Sequence, residues 1–190
     1  MTTIVKDTEP ETGASPMGDK PNPIESIQQY VSKNKPVIGR LVSGEFEITT
    51  LSEAEKLSTM LAANTPCPEK ASLGIWELLS NAVEHGNLEI DQQTKAKLIM
   101  SGEIDDEIQR RLRLGVYRDR VVRVFFKCSG SHVWLKVQDE GKGFDFEKVL
   151  NGEMPLDQPN GRGLLVARNL CFDTLEYHGC GNEVVATIEL

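Results

Sequence analysis

Pro68 opens a helix with two chemically opposite faces, and this helix constrains the fold more than any other segment. At about 100° per residue, Ile75, Trp76, Leu79, Ala82 and Val83 fall within roughly 120° of one another and form a stripe that must be buried. Glu77, Asn81, Glu84 and His85 fall on the other side, with Gly74 beside them and Gly86 just beyond. Such a helix packs one side on a sheet or a second helix, and on the other it offers a carboxylate, an amide and an imidazole to a ligand or to solvent.

The sheet is supplied by two predicted hairpins. Val121 to Cys128 and Ser131 to Asp139, rich in Val, Phe and Trp, flank the turn at Ser129-Gly130. Phe172 to His178 and Asn182 to Leu190 make a closing hairpin, and Gly44 to Thr50 alternates like a first strand. Ser52 with Glu55 reads as a capping box opening a helix to about Ala63, and Leu164 to Leu170 reads as a further helix. The expected class is α/β in the α+β sense: a two-layer sandwich of a mixed, mainly antiparallel sheet with helices on one face.

Residues 1–22 carry Pro10, Gly13, Pro16, Gly18 and Pro21 among many polar residues and are expected to be a flexible tail. Residues 23–43 read as a linker with a short helix over Ile24 to Lys33, and 44–190 as one domain. Within it, about 87–120 is a charged insertion, predicted as two short helices broken near Ser101-Gly102. Its acidic run Glu103, Asp105, Asp106, Glu107 precedes the basic cluster Arg110, Arg111, Arg113, Arg118, Arg120 and Arg123. Such patterns are mostly solvated helix faces with internal ion pairs, and a partner-docking surface is the sharper alternative.

The balance of 21 Lys+Arg against 29 Asp+Glu gives a net charge of -8, which disfavours a nonspecific grip on nucleic acid or anionic lipid. No run approaches the roughly 18 apolar residues of a membrane span, so a cytoplasmic protein is expected. Cys67, Cys128, Cys171 and Cys180 are scattered without a C-x-x-C pair, which argues against disulfides and zinc.

Three segments carry the chemistry. Glu77 and Asn81 are one helical turn apart on one face. An amide on a rigid helix can give a phosphate-bound divalent cation the single protein oxygen it needs, while the carboxylate orients or deprotonates a nucleophile near the same phosphate. His85 either contacts phosphate or closes the helix before Gly86, the closing role being favoured. Next, Asp139-Glu-Gly141-Lys-Gly143-Phe144 ends a strand in a turn that lets backbone approach a flat ligand. Finally, Gly161-Arg162-Gly163-Leu164 opens a helix whose free N–H groups and positive dipole end suit phosphates. Residues 144–160, with Gly152, Pro155 and Pro159, lie between these two glycine motifs and read as a loop with one helical turn. Each motif alone is more often an ordinary helix face or turn.

In this order the three segments resemble the GHKL ATPase family, and within it the small anti-sigma-factor serine kinases, over roughly residues 44–190. The resemblance implies the Bergerat fold, with ATP and Mg²⁺ as cofactors. It implies Asn81 as the metal-binding asparagine, Glu77 as the general base, and Asp139 as acceptor of the adenine exocyclic amine. His85, Gly141, Gly143, Gly161, Arg162, Gly163 and Leu164 are further nucleotide-binding candidates, and Phe144 would anchor a mobile lid. Related ATPases often carry an adenine-facing threonine in the last strand, but Thr187 is better read as a plain strand residue.

The function so implied is a protein serine/threonine kinase that phosphorylates a STAS-type antagonist and, in its other state, binds a sigma factor or similar regulator. A homodimer stays open. A histidine kinase fits poorly, because His85, His132 and His178 lie in no long dimerising helix. The alternative from another class is a nucleotide-gated binding module that sequesters a partner without transferring phosphate.

Overall fold

The computed structural model describes residues 39–147 and 162–190. The expected tail, the helix over 24–33 and most of the 144–160 loop lie outside the described residues. Strand β1 (Ser43–Ile48) is followed by helices α1 (Leu51–Ala62) and α2 (Pro68–Asn81), the latter running on into a π-helical turn over Ala82–Asn87. Then come α3 (Gln92–Ser101), α4 (Ile104–Leu112), β2 (Val122–Cys128), β3 (His132–Gln138), α5 (Arg162–Leu170), β4 (Thr174–His178) and β5 (Glu183–Glu189).

The strands form one sheet in the order β1-β2-β3-β5-β4, and all four pairings are antiparallel. The mixed, mainly antiparallel sheet expected from sequence is thus antiparallel at every pairing among the described residues. Strand alternation then sorts the side chains. Val122, Val124 and Phe126 of β2, Val133, Leu135 and Val137 of β3, and Val184 and Ala186 of β5 are buried on the helix side. The outer face is polar, with Lys136 over the Phe125 ring at 4.7 Å and paired to Glu183 at 3.2 Å. Register aligns Phe46, Val124, Val137, Val184 and Tyr177 in one row across all five strands.

Helix α2 lays Ile75, Leu79 and Val83, each fully buried, into the core, with Leu78 and Ala82 beside them. Two expectations for it need correction. Gly74 does not flank the polar face: a Cβ there would stand 2.5 Å from Cys171 Cβ, so the missing side chain is what lets α2 meet the end of α5. Glu84 is not on the polar face either, being only 5% exposed. The cause is the π-helical turn, which takes one more residue per hydrogen-bonded ring than an α-helix and rotates everything after Asn81.

The capping box of α1 sits two residues earlier than expected. Thr50 is the cap: its hydroxyl accepts from the Glu53 N–H at 3.2 Å, and Glu53 Oε2 accepts from the Thr50 N–H at 3.0 Å. Both Thr50-x-x-Glu53 and Ser52-x-x-Glu55 fit the pattern; the first wins because Glu53 also accepts from the Thr49 N–H, at 2.9 Å. The insertion forms its two helices, broken by Gly102 in the left-handed region at φ 75°. Five of the six arginines of the basic cluster pair with carboxylates of the same domain. Arg110 and Arg111 hold Glu107 at 2.6 and 2.7 Å and lower its pKa to about 2, and Arg118 pairs with Asp119 at 3.1 Å. Arg120 meets Glu89 at 3.0 Å, and Arg123 meets Glu47 at 3.4 Å. All four cysteines are free, Cys128 and Cys171 buried, Cys67 and Cys180 exposed. Among the described residues no helix is long and apolar enough to cross a membrane.

Candidate functional site

Between helices and sheet opens a cavity of about 600 Å³. Its floor is the helix-side row of the sheet, where Val137, Val184 and Tyr177 reach it; one wall is the polar side of α2 with the π-helical turn. Glu77 and Asn81 line that wall, joined by a hydrogen bond from Asn81 Nδ2 to Glu77 Oε1 of 3.0 Å. With its nitrogen so engaged, Asn81 has its carbonyl oxygen to offer a cation. The opposite wall is the start of α5: a Cβ on Gly163 would come 2.0 Å from Glu77 Oε1, so only glycine lets the helix terminus and the carboxylate stand together. Leu164 also lines the cavity. Arg162 is the first residue of α5, but its side chain, like Gly161, lies outside the described residues.

His85 lines the cavity and bonds through Nδ1 to the Ile90 carbonyl. A carbonyl only accepts, so Nδ1 carries the proton. Burial first, and the Lys95 ammonium with it, push its pKa below the usual range and keep the ring neutral. A neutral ring donating through Nδ1 presents an acceptor, not a donor, at Nε2 and has no proton for a phosphate; this geometry assigns His85 to holding the turn together.

At the far end, Asp139 lies directly over Gly86, where a Cβ would come 2.4 Å from its Cγ. Its Oδ1 accepts the Gly141 N–H at 2.8 Å, and burial pushes its pKa up to about 6. Gly141 stacks on Gly86 and does not itself line the cavity. The turn is tied on both sides: Asn87 Oδ1 accepts the Glu140 N–H at 2.8 Å, and Asn182 Nδ2 donates to the Asp139 carbonyl at 3.1 Å. Behind it, Arg120 donates to the Asn87 carbonyl at 2.9 Å and Arg111 to the Leu88 carbonyl at 2.7 Å, so the basic cluster buttresses this end of the cavity.

Gly143, at φ 74°, roots the segment expected to be a lid; a Cβ would meet Cys180 O at 2.0 Å, and the Phe144 N–H bonds that carbonyl at 2.9 Å. Phe144 and Phe146 then pack on Tyr177, with centroids 5.1 and 5.7 Å away. Gly143→Ala combines a disfavoured backbone angle with a backbone collision and should lower stability by about 2–4 kcal/mol in urea denaturation. A loss under about 0.5 kcal/mol, the range of ordinary surface substitutions, would contradict this packing.

Several cavity residues were not anticipated. Asp91, Gln92 and Lys95 enter from α3, and Tyr177, Gly181 and Asn182 from the closing hairpin. For α3 a signal existed: Asp91 accepts the Thr94 N–H at 2.8 Å as a helix cap, and positions 91, 92 and 95 share one helical face. Thr187 points to the outer face, paired with Thr174 Oγ1 at 2.8 Å, away from the cavity.

Fold and cavity together define a domain with a ligand-sized cavity, a largely buried carboxyl at one end and a helix terminus and an amide at the other. The chain belongs to the histidine kinase-like ATPase domain family, which matches it over residues 47–188 of 190. Domains of this family bind ATP, and the volume lies in the range of roughly 300–1,000 Å³ typical of such ligands. No curated protein matches the chain.

The donor set also suits a magnesium ion delivered with phosphates. Among the described residues no cluster of three or more His, Cys, Asp or Glu could hold a metal alone, whereas Mg²⁺ carried by phosphates keeps several waters and takes only one or two protein oxygens, a share the Asn81 carbonyl can supply. Asn81→Ala should weaken Mg-ATP binding about 10- to 100-fold while metal-free ATP binds as before. Equal calorimetric affinities with and without Mg²⁺ in the parent protein would remove this assignment.

Proposed function

We propose that this protein is an ATP-dependent protein serine/threonine kinase of the anti-sigma-factor type, acting by partner switching. One observation carries the reading: the Glu77 carboxylate is held by Asn81 at 3.0 Å and abuts the N-terminal turn of α5 at Gly163. A carboxylate in that position can take the proton of a serine hydroxyl as its oxygen bonds to the γ-phosphorus and the bond to the β,γ-bridging oxygen breaks, releasing ADP. Mg²⁺, when bound, would supply charge neutralisation for the phosphates. The Asp139 carboxyl accepts the adenine amine and disfavours guanine, whose carbonyl faces it instead.

The acceptor in this reading is a serine of a STAS-type antagonist, and the alternative partner is a sigma factor or similar regulator; the setting is the cytoplasm. The experiment is transfer of label from γ-labelled ATP to a STAS-type protein captured with the full chain. No transfer to any captured partner, with Mg-ATP binding intact, would sink the kinase reading and leave a nucleotide-gated binding module.

A further inference from the structure

Lys95 is the only lysine or arginine among the described residues of the cavity wall, whereas Glu77, Asp91, Asp139 and Asp145 bring four carboxylates to it. A polyphosphate entering such a site meets like charge on several sides, so every cation facing it counts. Lys95 is not loose. Its Nζ is paired with Glu84 Oε2, and the side-chain exposures of 26% and 6% show the carboxylate nearly buried and the ammonium still open. An ionised carboxylate at that depth needs a partner, and an ammonium with three N–H groups can keep one on Glu84 and turn the others to the cavity.

The position along the cavity follows from the ion pair. Glu84 and His85 lie in the π-helical turn that starts directly after Asn81, and Lys95 is seated on Glu84 while lining the cavity. The ammonium therefore stands beside the turn that continues the Glu77–Asn81 wall. Glu84 reaches Lys95 only because the π-helical turn swings it off the polar face of α2.

We propose that Lys95, positioned by Glu84, is a contact for the terminal phosphates of the bound nucleotide, so that the 87–120 insertion completes the site. The inference rests on the nucleotide reading of the cavity. The bland alternative is a structural ion pair that merely pins α3 to the π-helical turn. The two differ in what they do to a series of ligands: a structural pair affects all nucleotides alike, and a terminal-phosphate contact affects only those that have one.

The test is calorimetry of Mg-ATP, Mg-ADP and AMP on the full chain, comparing the parent with Lys95→Met, Lys95→Arg and the double variant Glu84→Gln/Lys95→Met. Methionine keeps the aliphatic stem, and the double variant leaves no buried unpaired carboxylate, so it folds even where the single one does not. The expected result is a loss of about 10- to 100-fold for Mg-ATP, less for Mg-ADP and none for AMP, in both methionine variants. Arginine should restore most of it. An unchanged ATP-to-AMP affinity ratio in the double variant would overturn the inference while leaving the nucleotide reading intact. A parent that binds no adenine nucleotide would overturn that reading first, and this inference with it.

Discussion

Glu77→Gln should lower phosphoryl transfer by about 10²–10⁴-fold while Mg-ATP affinity stays within about threefold of the parent. The amide keeps the size of the carboxylate and can still accept from Asn81 Nδ2, so the wall of the cavity is preserved. What it loses is the ability to take a proton, which matters in the transition state and hardly at all in the ground state. The measurement is single-turnover transfer to a captured STAS-type partner at matched nucleotide occupancy. Parent-like transfer by the variant would take the base role away from Glu77.

Asp139→Ala should weaken ATP about 10²-fold or more and abolish the preference for ATP over GTP, because a charged hydrogen bond inside a cavity is lost. The same carboxyl makes two pH predictions. Its folded pKa of about 6 lies above the ordinary 3.8, so the folded state holds its proton more tightly than the unfolded one. Stability fully present below pH 3.8 is therefore lost as pH rises through about 6, by at most about 3 kcal/mol. Binding runs the other way: the ionised carboxylate is the stronger acceptor for an adenine amine, so affinity should fall as pH drops below about 6. Taking the difference between parent and Asp139→Ala removes the titration of the nucleotide itself. GTP competing as well as ATP in the parent, or no such difference in the pH profile, would count against the assignment.

The layout was readable because each piece is local. Strand alternation in β2 and β3, the stripe Ile75, Leu79, Val83, and the break at Gly102 are all decided by residues within one element of each other. The grouping of Glu77, Asn81, Gly143, Gly163 and Leu164 around one cavity followed from motif order. The misses share a different physical origin. Glu84 was misplaced because a uniform advance per residue cannot foresee a π-helical turn, which is stabilised here by tertiary contacts such as Asn87 Oδ1 to the Glu140 N–H at 2.8 Å. The role of Gly74 is invisible locally because it lies in the contacts with Cys171 and Phe172, far along the chain. Tyr177 and Asn182 carried only strand and turn signals, and it is the β5-β4 pairing that brings them to the cavity.

The π-helical turn has one more consequence. It begins directly after Glu77 and Asn81 and contains Gly86, the glycine on which the Asp139 carboxyl rests. The angular offset between those two groups is thus set by a single surplus residue in Ala82–Asn87. Forcing the same residues into ordinary α-helical pitch would rotate Gly86 relative to Asn81, and the buried Leu88 and Ile90 with it. The wide turn is therefore a length gauge: its extra residue sets where the Gly86 end of the pocket stands relative to the Glu77 end, and seats part of the core in the same stroke.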